Sequence, residues 1–96
     1  MSGTVCDYKI FETNQFLKDL DNDVSGMSGK IRDKLLNYVY PQLRNNPFFG
    51  KNIKKLVNYH PETWRYRIGN NRYFYIIDQK KRLVIMISFD QRKDAY

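Results

Sequence analysis

Residues 64–78 read WRYRIGNNRYFYIID, and this stretch decides the fold. Arginine alternates with aromatic and β-branched residues on both sides of Asn70-Asn71, and such a period of two is typical of β-strands. Asparagine tolerates the left-handed backbone that a two-residue hairpin turn requires. The stretch therefore predicts two antiparallel strands, Thr63–Gly69 and Arg72–Asp78, joined by a turn at Asn70-Asn71.

The predicted turn fixes which residues face each other across the hairpin. Arg67 is then opposite Phe74, and Arg65 is opposite Ile76. Directly paired residues point to the same side of a sheet, so Arg65, Arg67 and Arg72 share one face. The other face, which we expect to be buried, carries the remaining large residues: Trp64, Tyr66, Ile68, Tyr73 and Tyr75.

Working outward from the hairpin, the sequence predicts further strands on both sides. Leu83–Phe89 follows a tight connection at residues 79–82, Ile53–Val57 is a short strand, and Val5–Phe11 is a strand near the amino terminus. Helical sequence separates Val5–Phe11 from the others. The prediction is an α+β fold with the order β-α-α-β-β-β: an N-terminal strand, a helical hairpin and a mainly antiparallel twisted sheet.

Two amphipathic segments form the predicted helical hairpin. Thr13 or Asn14 can cap the first helix, and Ser28 can cap the second. Pro41 lacks a backbone donor, so we expect the second helix to kink or end near Tyr40. The apolar positions share one helical face in each segment: Phe16, Leu17, Leu20 and Val24 in the first, and Ile31, Leu35, Val39 and Leu43 in the second.

The 96 residues, 42% of them hydrophobic, predict a single domain spanning residues 1–96 with one modest core. Cys6 is the only cysteine. It has no partner for a disulfide or a zinc site, so a reducing cytoplasm is the expected location. No stretch is long enough to cross a membrane, and neither a metal nor a cofactor is predicted.

The net charge of +7 is concentrated in the second half of the chain. Residues 51–96 contain 11 Lys and Arg against 4 Asp and Glu, whereas residues 1–50 contain 6 of each kind. A one-sided basic field attracts polyanions, and arginines along strands with aromatic residues between them suit phosphates and bases. Lys80-Lys81-Arg82 simply occupies a turn in this interpretation, but the strand arginines indicate a binding surface.

Residues 64–72, together with the terminal Arg92-Lys93-Asp94-Ala95-Tyr96, resemble the RelE/ParE superfamily of bacterial toxins from toxin–antitoxin pairs. The resemblance covers nearly the whole chain, since residues 16–20, Asn46-Pro47 and Lys54-Lys55-Leu56 are also similar to members of that group. It implies a RelE-like fold. For the RelE-like members, it implies a ribosome-dependent endoribonuclease that cuts messenger RNA in the decoding site without a metal.

The resemblance also implies which residues carry the reaction, in which a ribose 2′-hydroxyl attacks the adjacent phosphate. Arg72 and Arg92 would hold that phosphate, and Tyr96 would stack on a base or take part in proton transfer. The predicted catalytic residues are therefore Arg72, Arg92 and Tyr96. The predicted RNA-binding residues are Arg65, Arg67, Lys54 and Lys55. His60, the only histidine, is expected in a solvated loop with no catalytic role.

The implied partners are a cognate antitoxin, the ribosome and messenger RNA, and the toxin–antitoxin complex can bind operator DNA through the antitoxin. Three positions depart from the RelE pattern, and one of them is Asn71, which replaces an aromatic residue that is common before the turn arginine. Gln91 stands where many relatives have histidine or lysine, and Val57 stands where the RelE prototype has a basic residue. Two alternatives therefore stay open: a ParE-like, non-enzymatic inhibitor of gyrase, and a catalytically lapsed toxin that only binds its antitoxin.

Overall fold

The computed structural model describes residues 8–22 and 28–91. Its elements, in chain order, are β1 (Lys9–Glu12), α1 (Asn14–Asp21), α2 (Ser28–Lys34), a π-helical turn (Leu35–Val39), α3 (Tyr40–Asn45), β2 (Ile53–Lys55), β3 (Trp64–Ile68), β4 (Asn71–Asp78) and β5 (Leu83–Gln91). The strands form one sheet in the order β1-β5-β4-β3-β2. β1 runs parallel to β5, and the other neighbouring pairs are antiparallel.

This architecture confirms the predicted α+β class, with an N-terminal strand, a helical hairpin and a mainly antiparallel sheet. The short β2 pairs with β3 as an edge strand, so four strands follow the helices, one more than the predicted order β-α-α-β-β-β contains. Residues 5–7 of the predicted first strand and Val24 of the predicted first helix lie outside the described residues. None of the described helices is both long and apolar enough to span a lipid bilayer.

The helices cover one face of the sheet, and the core lies between the helices and that face. Thr13 caps α1, because its side-chain oxygen accepts a hydrogen bond from the Phe16 amide at 3.2 Å. The sheet contributes large aromatic side chains that alternate along β3 and β4. The buried core residues are Phe16, Leu20, Ile31, Leu35, Val39, Tyr40, Leu43, Tyr66, Tyr73, Tyr75, Val84, Met86 and Phe89.

The helical segment from Ser28 to Asn45 accommodates Pro41 by a π-helical turn. The Tyr40 amide donates to the carbonyl of Leu35, five residues earlier. The hydrogen-bond pattern is therefore already π-helical at the residue before Pro41, which lacks a backbone donor. The predicted irregularity near Tyr40 therefore takes the form of this turn. The segment stays helical to Asn45 instead of ending near Tyr40, and this brings Leu43 into the core.

The β3–β4 hairpin turns at Gly69-Asn70, and the predicted turn at Asn70-Asn71 is wrong. Gly69 has φ +58°, which glycine adopts without the steric cost of a side chain. Arg67 consequently faces Arg72 instead of Phe74. The predicted register is wrong by two residues, but a shift of two keeps every side chain on its side of the sheet. The shared face of Arg65, Arg67 and Arg72 is thus retained.

A β-bulge interrupts the pairing of β4 with β5. Phe74 pairs with Ser88 and Tyr75 pairs with Met86, so Ile87 is an extra residue on β5. Such an insertion reverses the alternation of side chains beyond it. Met86 and Phe89, which are three residues apart, are consequently both buried against the helices.

Polar side chains of α1 and its cap bond to β5 on both sides of the bulge. The Thr13 hydroxyl donates to the Met86 carbonyl at 2.8 Å, and the Asp19 carboxylate accepts from the Phe89 amide at 3.1 Å. Buried backbone groups need such partners when a strand ladder is interrupted. These contacts join α1 to the strand that continues toward Asp90.

Candidate functional site

The sheet face turned away from the helices carries cations on three neighbouring strands. Lys54 of β2 is directly opposite Arg65 of β3, and Arg67 of β3 is directly opposite Arg72 of β4. Paired residues point to the same side, so all four lie on one surface. We call this surface the arginine face: Lys54, Arg65, Arg67 and Arg72. Four positive charges this close together raise the local concentration of anions.

Arg65 and Arg67 differ in how their guanidinium donors are used. Arg67 is exposed, and its Nε donates to the Gly69 carbonyl at 3.1 Å, which holds the side chain against the hairpin turn. Arg65 is half-buried, and its buried Nε has no hydrogen-bond acceptor among the described residues. An unsatisfied buried donor costs about 1–3 kcal/mol, which a movement of the side chain toward an anionic ligand would recover.

Arg72 forms an ion pair with Asp90, which lies directly opposite it on β5. Its guanidinium carbon lies 5.9 Å from the ring centre of Phe74, and its Nε is also buried without an acceptor in the described structure. Asp90 was not predicted as part of the site, because β5 was expected to end at Phe89. Asp90 is half exposed to water, so a phosphate can exchange with it at small cost.

Lys55 lies apart from the arginine face, although it was predicted to bind RNA together with Lys54. Successive residues of a strand point to opposite sides, so Lys55 is directly opposite Trp64 instead. Its ammonium is 5.9 Å from the Trp64 ring centre and 3.0 Å from the Glu62 carboxylate. Lys55 therefore belongs to the side of the sheet that carries the aromatic residues.

A groove of about 500 Å³ runs along the arginine face. It brings together three of the predicted residues, Lys54, Arg65 and Arg67, and adds Lys51, which the sequence prediction missed because it lies in the turn before β2. Arg72 does not line the groove, although it lies directly opposite Arg67, which does. The complete lining is Lys51, Asn52, Ile53, Lys54, Arg65, Arg67 and Gly69.

Proton-transfer groups are scarce around the arginine face within the described residues. Tyr73 and Tyr75 lie on the opposite, buried side of the sheet, where burial raises the pKa of Tyr73 to about 12 and also raises the pKa of Tyr75. His60 is exposed in the loop between β2 and β3, as predicted. The predicted catalytic residues Arg92 and Tyr96 lie outside the described residues, and Gln91 is the last one described.

No cluster of three or more His, Cys, Asp or Glu side chains suited to a metal ion occurs in residues 8–22 and 28–91. The described part of the site supplies cations, namely those of the arginine face. It can bind phosphates through forked guanidinium groups and stabilise negative charge that grows during a reaction.

Comparison with protein-family models gives no match, and comparison with curated proteins gives none either. Solved structures do match over nearly the whole chain. The toxin–antitoxin complex RelBE2 from Mycobacterium tuberculosis contains a chain with a TM-score of 0.72 and 20% identity, covering 97% of this chain and 100% of that one. The isolated RelE toxin of E. coli has a TM-score of 0.63 and 19% identity, covering 92% of this chain and 87% of that one.

The YoeB dimer from Staphylococcus aureus is a third similar structure, with a TM-score of 0.57 and 20% identity over 91% of this chain and 99% of that chain. Identities near 20% report on the fold and not on the chemistry. The chain therefore has the fold of the RelE toxins, and the resemblance predicted from its sequence is confirmed at the level of the fold.

Proposed function

We propose that the chain is the toxin of a type II toxin–antitoxin pair and that it cleaves messenger RNA in the decoding site of the ribosome. The observation that carries this proposal is the arginine face, where two guanidinium groups keep buried Nε donors without an acceptor in the described structure. The RelE-like fold supports the toxin assignment. The cations support RNA as the ligand, because phosphates are the anions that a row of arginines binds best.

The proposed reaction is an internal transfer of the phosphate. The ribose 2′-oxygen forms a bond to phosphorus, and the bond from phosphorus to the 5′-oxygen of the next nucleotide breaks. The 2′-hydroxyl gives up a proton, and the leaving oxygen takes one, so the products are a 2′,3′-cyclic phosphate and a 5′-hydroxyl. Negative charge grows on the phosphate oxygens in the transition state, which is where preorganised cations contribute most.

Within this mechanism, Arg72 and Arg92 hold the phosphate that is attacked, and Tyr96 stacks on a base or transfers a proton. Arg65, Arg67 and Lys54 hold neighbouring phosphates along the groove. Asp90 keeps the Arg72 guanidinium over Phe74 until RNA arrives, and the incoming phosphate then replaces the carboxylate. Lys55 has a small role here because Glu62 already neutralises it.

The proposed protein partner is a cognate antitoxin, as in the RelBE complexes of the comparison. We expect its toxin-binding segment to be acidic, because a complementary charge relieves repulsion within the arginine face and competes with RNA. Exposed apolar side chains would add contacts that resist salt, and Leu36, Phe49 and Val57 are between 58% and 79% exposed. The complex would bind operator DNA through the antitoxin, and the ribosomal target implies a cytoplasmic protein.

The deciding experiment maps messenger RNA ends after the purified protein is added to ribosomes stalled with a defined codon in the decoding site, with free RNA alongside. Cuts that appear only on ribosomes would support the proposal. A correctly folded protein that makes no cut would contradict it. Inhibition of DNA supercoiling by gyrase would then identify the ParE-like alternative. If the protein showed neither activity, it would be a lapsed toxin that only binds its antitoxin.

The proposed toxic activity also predicts an effect on cell growth. Expression of the protein should arrest cells, and the double substitution Arg72→Ala and Arg92→Ala should abolish the arrest. Arg82→Ala, which removes a cation from the exposed turn before β5, is the control. Undiminished arrest by a well-folded double variant would exclude these arginines from the toxic activity.

A further inference from the structure

Two further cavities adjoin the groove of the arginine face, on the side of the sheet that faces the helices. The first has a volume of about 340 Å³ and is lined by Lys30, Ile31, Lys34, Ile68, Gly69, Asn70, Asn71 and Gln91. The second has a volume of about 380 Å³ and is lined by Lys34, Tyr38, Asn52, Tyr66 and Ile68. We call them the helix-side cavities.

The three cavities are neighbours, because they share lining residues. Gly69 lines both the groove and the first helix-side cavity, and Asn52 lines both the groove and the second. Lys34 and Ile68 are common to the two helix-side cavities. Together they trace a path over the surface from the arginine face, round the end of β3, to α2, and we call this path the channel.

The channel is cationic along its whole length. Six cationic side chains line it, and the described residues contribute no carboxylate to its walls. Lys30 and Lys34 are four residues apart and therefore lie on the same side of α2. Like charges at this spacing destabilise a helix slightly, and a bound polyanion would relieve their repulsion.

Two other groups in the helix-side cavities match nucleotides. Asn71 is only 7% exposed, and its side-chain oxygen has no hydrogen-bond donor among the described residues. The Asn71 side chain must turn toward the cavity to offer this buried acceptor, which a ribose hydroxyl or a base amino group would then satisfy, whereas the side chains of an acidic peptide offer only further acceptors. Tyr38 is 63% exposed and presents an aromatic ring on which a base can stack.

We propose that the helix-side cavities are a second RNA-binding subsite. Lys30 and Lys34 bind phosphates there, Asn71 accepts a hydrogen bond from a ribose or a base, and Tyr38 stacks on a base. A single strand that lies on the arginine face thus continues round the end of β3 to α2. The inference rests on the proposed function, because it takes the same RNA as its ligand and gives the path by which the strand leaves the site.

The test measures binding of labelled single-stranded oligouridine to the full chain by fluorescence anisotropy, over a series of salt concentrations. Oligonucleotides of about 4 nucleotides should occupy the arginine face alone, and those of about 12 should also reach α2. The protein should bind the longer RNA more tightly. Lys30→Ala with Lys34→Ala should weaken that binding about tenfold and lower its salt slope by about 1.4, while binding of the shorter RNA is unchanged.

The matched control is Lys80→Ala with Lys81→Ala, which removes the same charge from the exposed turn at the opposite end of β4. It should leave the ratio of long to short affinities unchanged. A second pair of variants tests whether a base stacks on the Tyr38 ring. Tyr38→Ala should weaken binding of the longer RNA about fivefold or more, and Tyr38→Phe, which keeps the stacking surface, should restore it.

Several results would overturn the inference: an unchanged length dependence in the Lys30/Lys34 variant, an equal loss in the Lys80/Lys81 variant, or no binding of either RNA at low salt. Insensitivity to the Tyr38 ring, with polyglutamate binding as tightly as RNA, would identify an acidic peptide as the occupant. Absence of cleavage on ribosomes with the length dependence intact would overturn only the proposed function.

Discussion

The two faces of the sheet use the same strands but satisfy their polar groups in different ways. On the covered face, Tyr73 and Tyr75 are fully buried, and their hydroxyls donate to the main-chain carbonyls of Ile31 at 3.4 Å and Pro47 at 2.8 Å. Buried tyrosines normally find such partners. These two tyrosines therefore complete their hydrogen bonding within the chain, which is what a stable core requires.

The arginine face leaves part of its hydrogen bonding open. Arg65 and Arg72 each keep a buried Nε without an acceptor in the described structure. The ion pair of Arg72 with Asp90 is reached by water, so it can be exchanged for another anion. We infer from this contrast that the covered side of β3 and β4 contributes most to stability, whereas the arginine face is the proposed site for the reacting phosphate. Substitutions on the two sides should then have separable effects.

The largest expected effect is on stability, and it comes from the covered face. Tyr75→Ala removes a fully buried ring and should lower the free energy of unfolding by about 3–5 kcal/mol, measured by urea denaturation. Arg67→Ala, on the exposed side of the neighbouring strand, should change it by less than about 0.5 kcal/mol. Similar losses in the two variants would contradict the division between the faces.

The next effect is on activity. Arg72→Ala should reduce cleavage of ribosome-bound messenger RNA by about 10²–10³-fold, because it removes a cation from the growing negative charge. The free energy of unfolding should fall by about 1 kcal/mol or less, since the ion pair with Asp90 is partly exposed. Arg82→Ala removes the same charge from a turn and should cleave normally. A parallel fall of activity and stability would show that Arg72 is structural.

Alkaline pH should weaken the covered face. Burial raises the pKa of Tyr73 to about 12 in the folded chain, so the unfolded chain loses this proton first, near pH 10. Stability is then complete below about pH 10 and declines between about pH 10 and 12, by up to about 1.4 kcal/mol per pH unit for this group. Urea midpoints at rising pH check this, and the decline should be shallower in Tyr73→Phe.

The smallest effect concerns the competition at Arg72. Asp90→Asn removes the carboxylate that pairs with the Arg72 guanidinium. Binding of single-stranded RNA should then tighten by about three- to tenfold, measured by anisotropy. Asp78→Asn, at the opposite end of β4, changes the net charge equally and should have a smaller effect. Weaker binding in Asp90→Asn would mean that the carboxylate positions Arg72 for RNA rather than competing with it.

Much of this molecule could be predicted from local sequence. The alternation of Trp64, Tyr66 and Ile68 with Arg65 and Arg67 indicated both the strand and its two faces, because side-chain direction in a strand has a period of two. The same period separates the two lysines of β2, which were predicted together as RNA-binding residues. Their adjacency in sequence places them on opposite sides of the sheet.

The turn between β3 and β4 was less predictable. Gly69, Asn70 and Asn71 all tolerate a left-handed backbone, so turn chemistry alone permits more than one hairpin register. The choice depends on how each register packs β4 against the helices. The structure turns at Gly69-Asn70, and that choice sets Arg67 opposite Arg72 and buries Asn71 beside the first helix-side cavity.

The sequence by itself determined the α+β class, the helix faces and the shared side of the three strand arginines, because these follow from local periodicity and survive a register shift of two. Only the tertiary structure decided the bulge at Ile87, which places Asp90 opposite Arg72, and the channel that connects the arginine face to α2. Both depend on packing between segments distant in the sequence, and no local pattern encodes which residues such packing brings together.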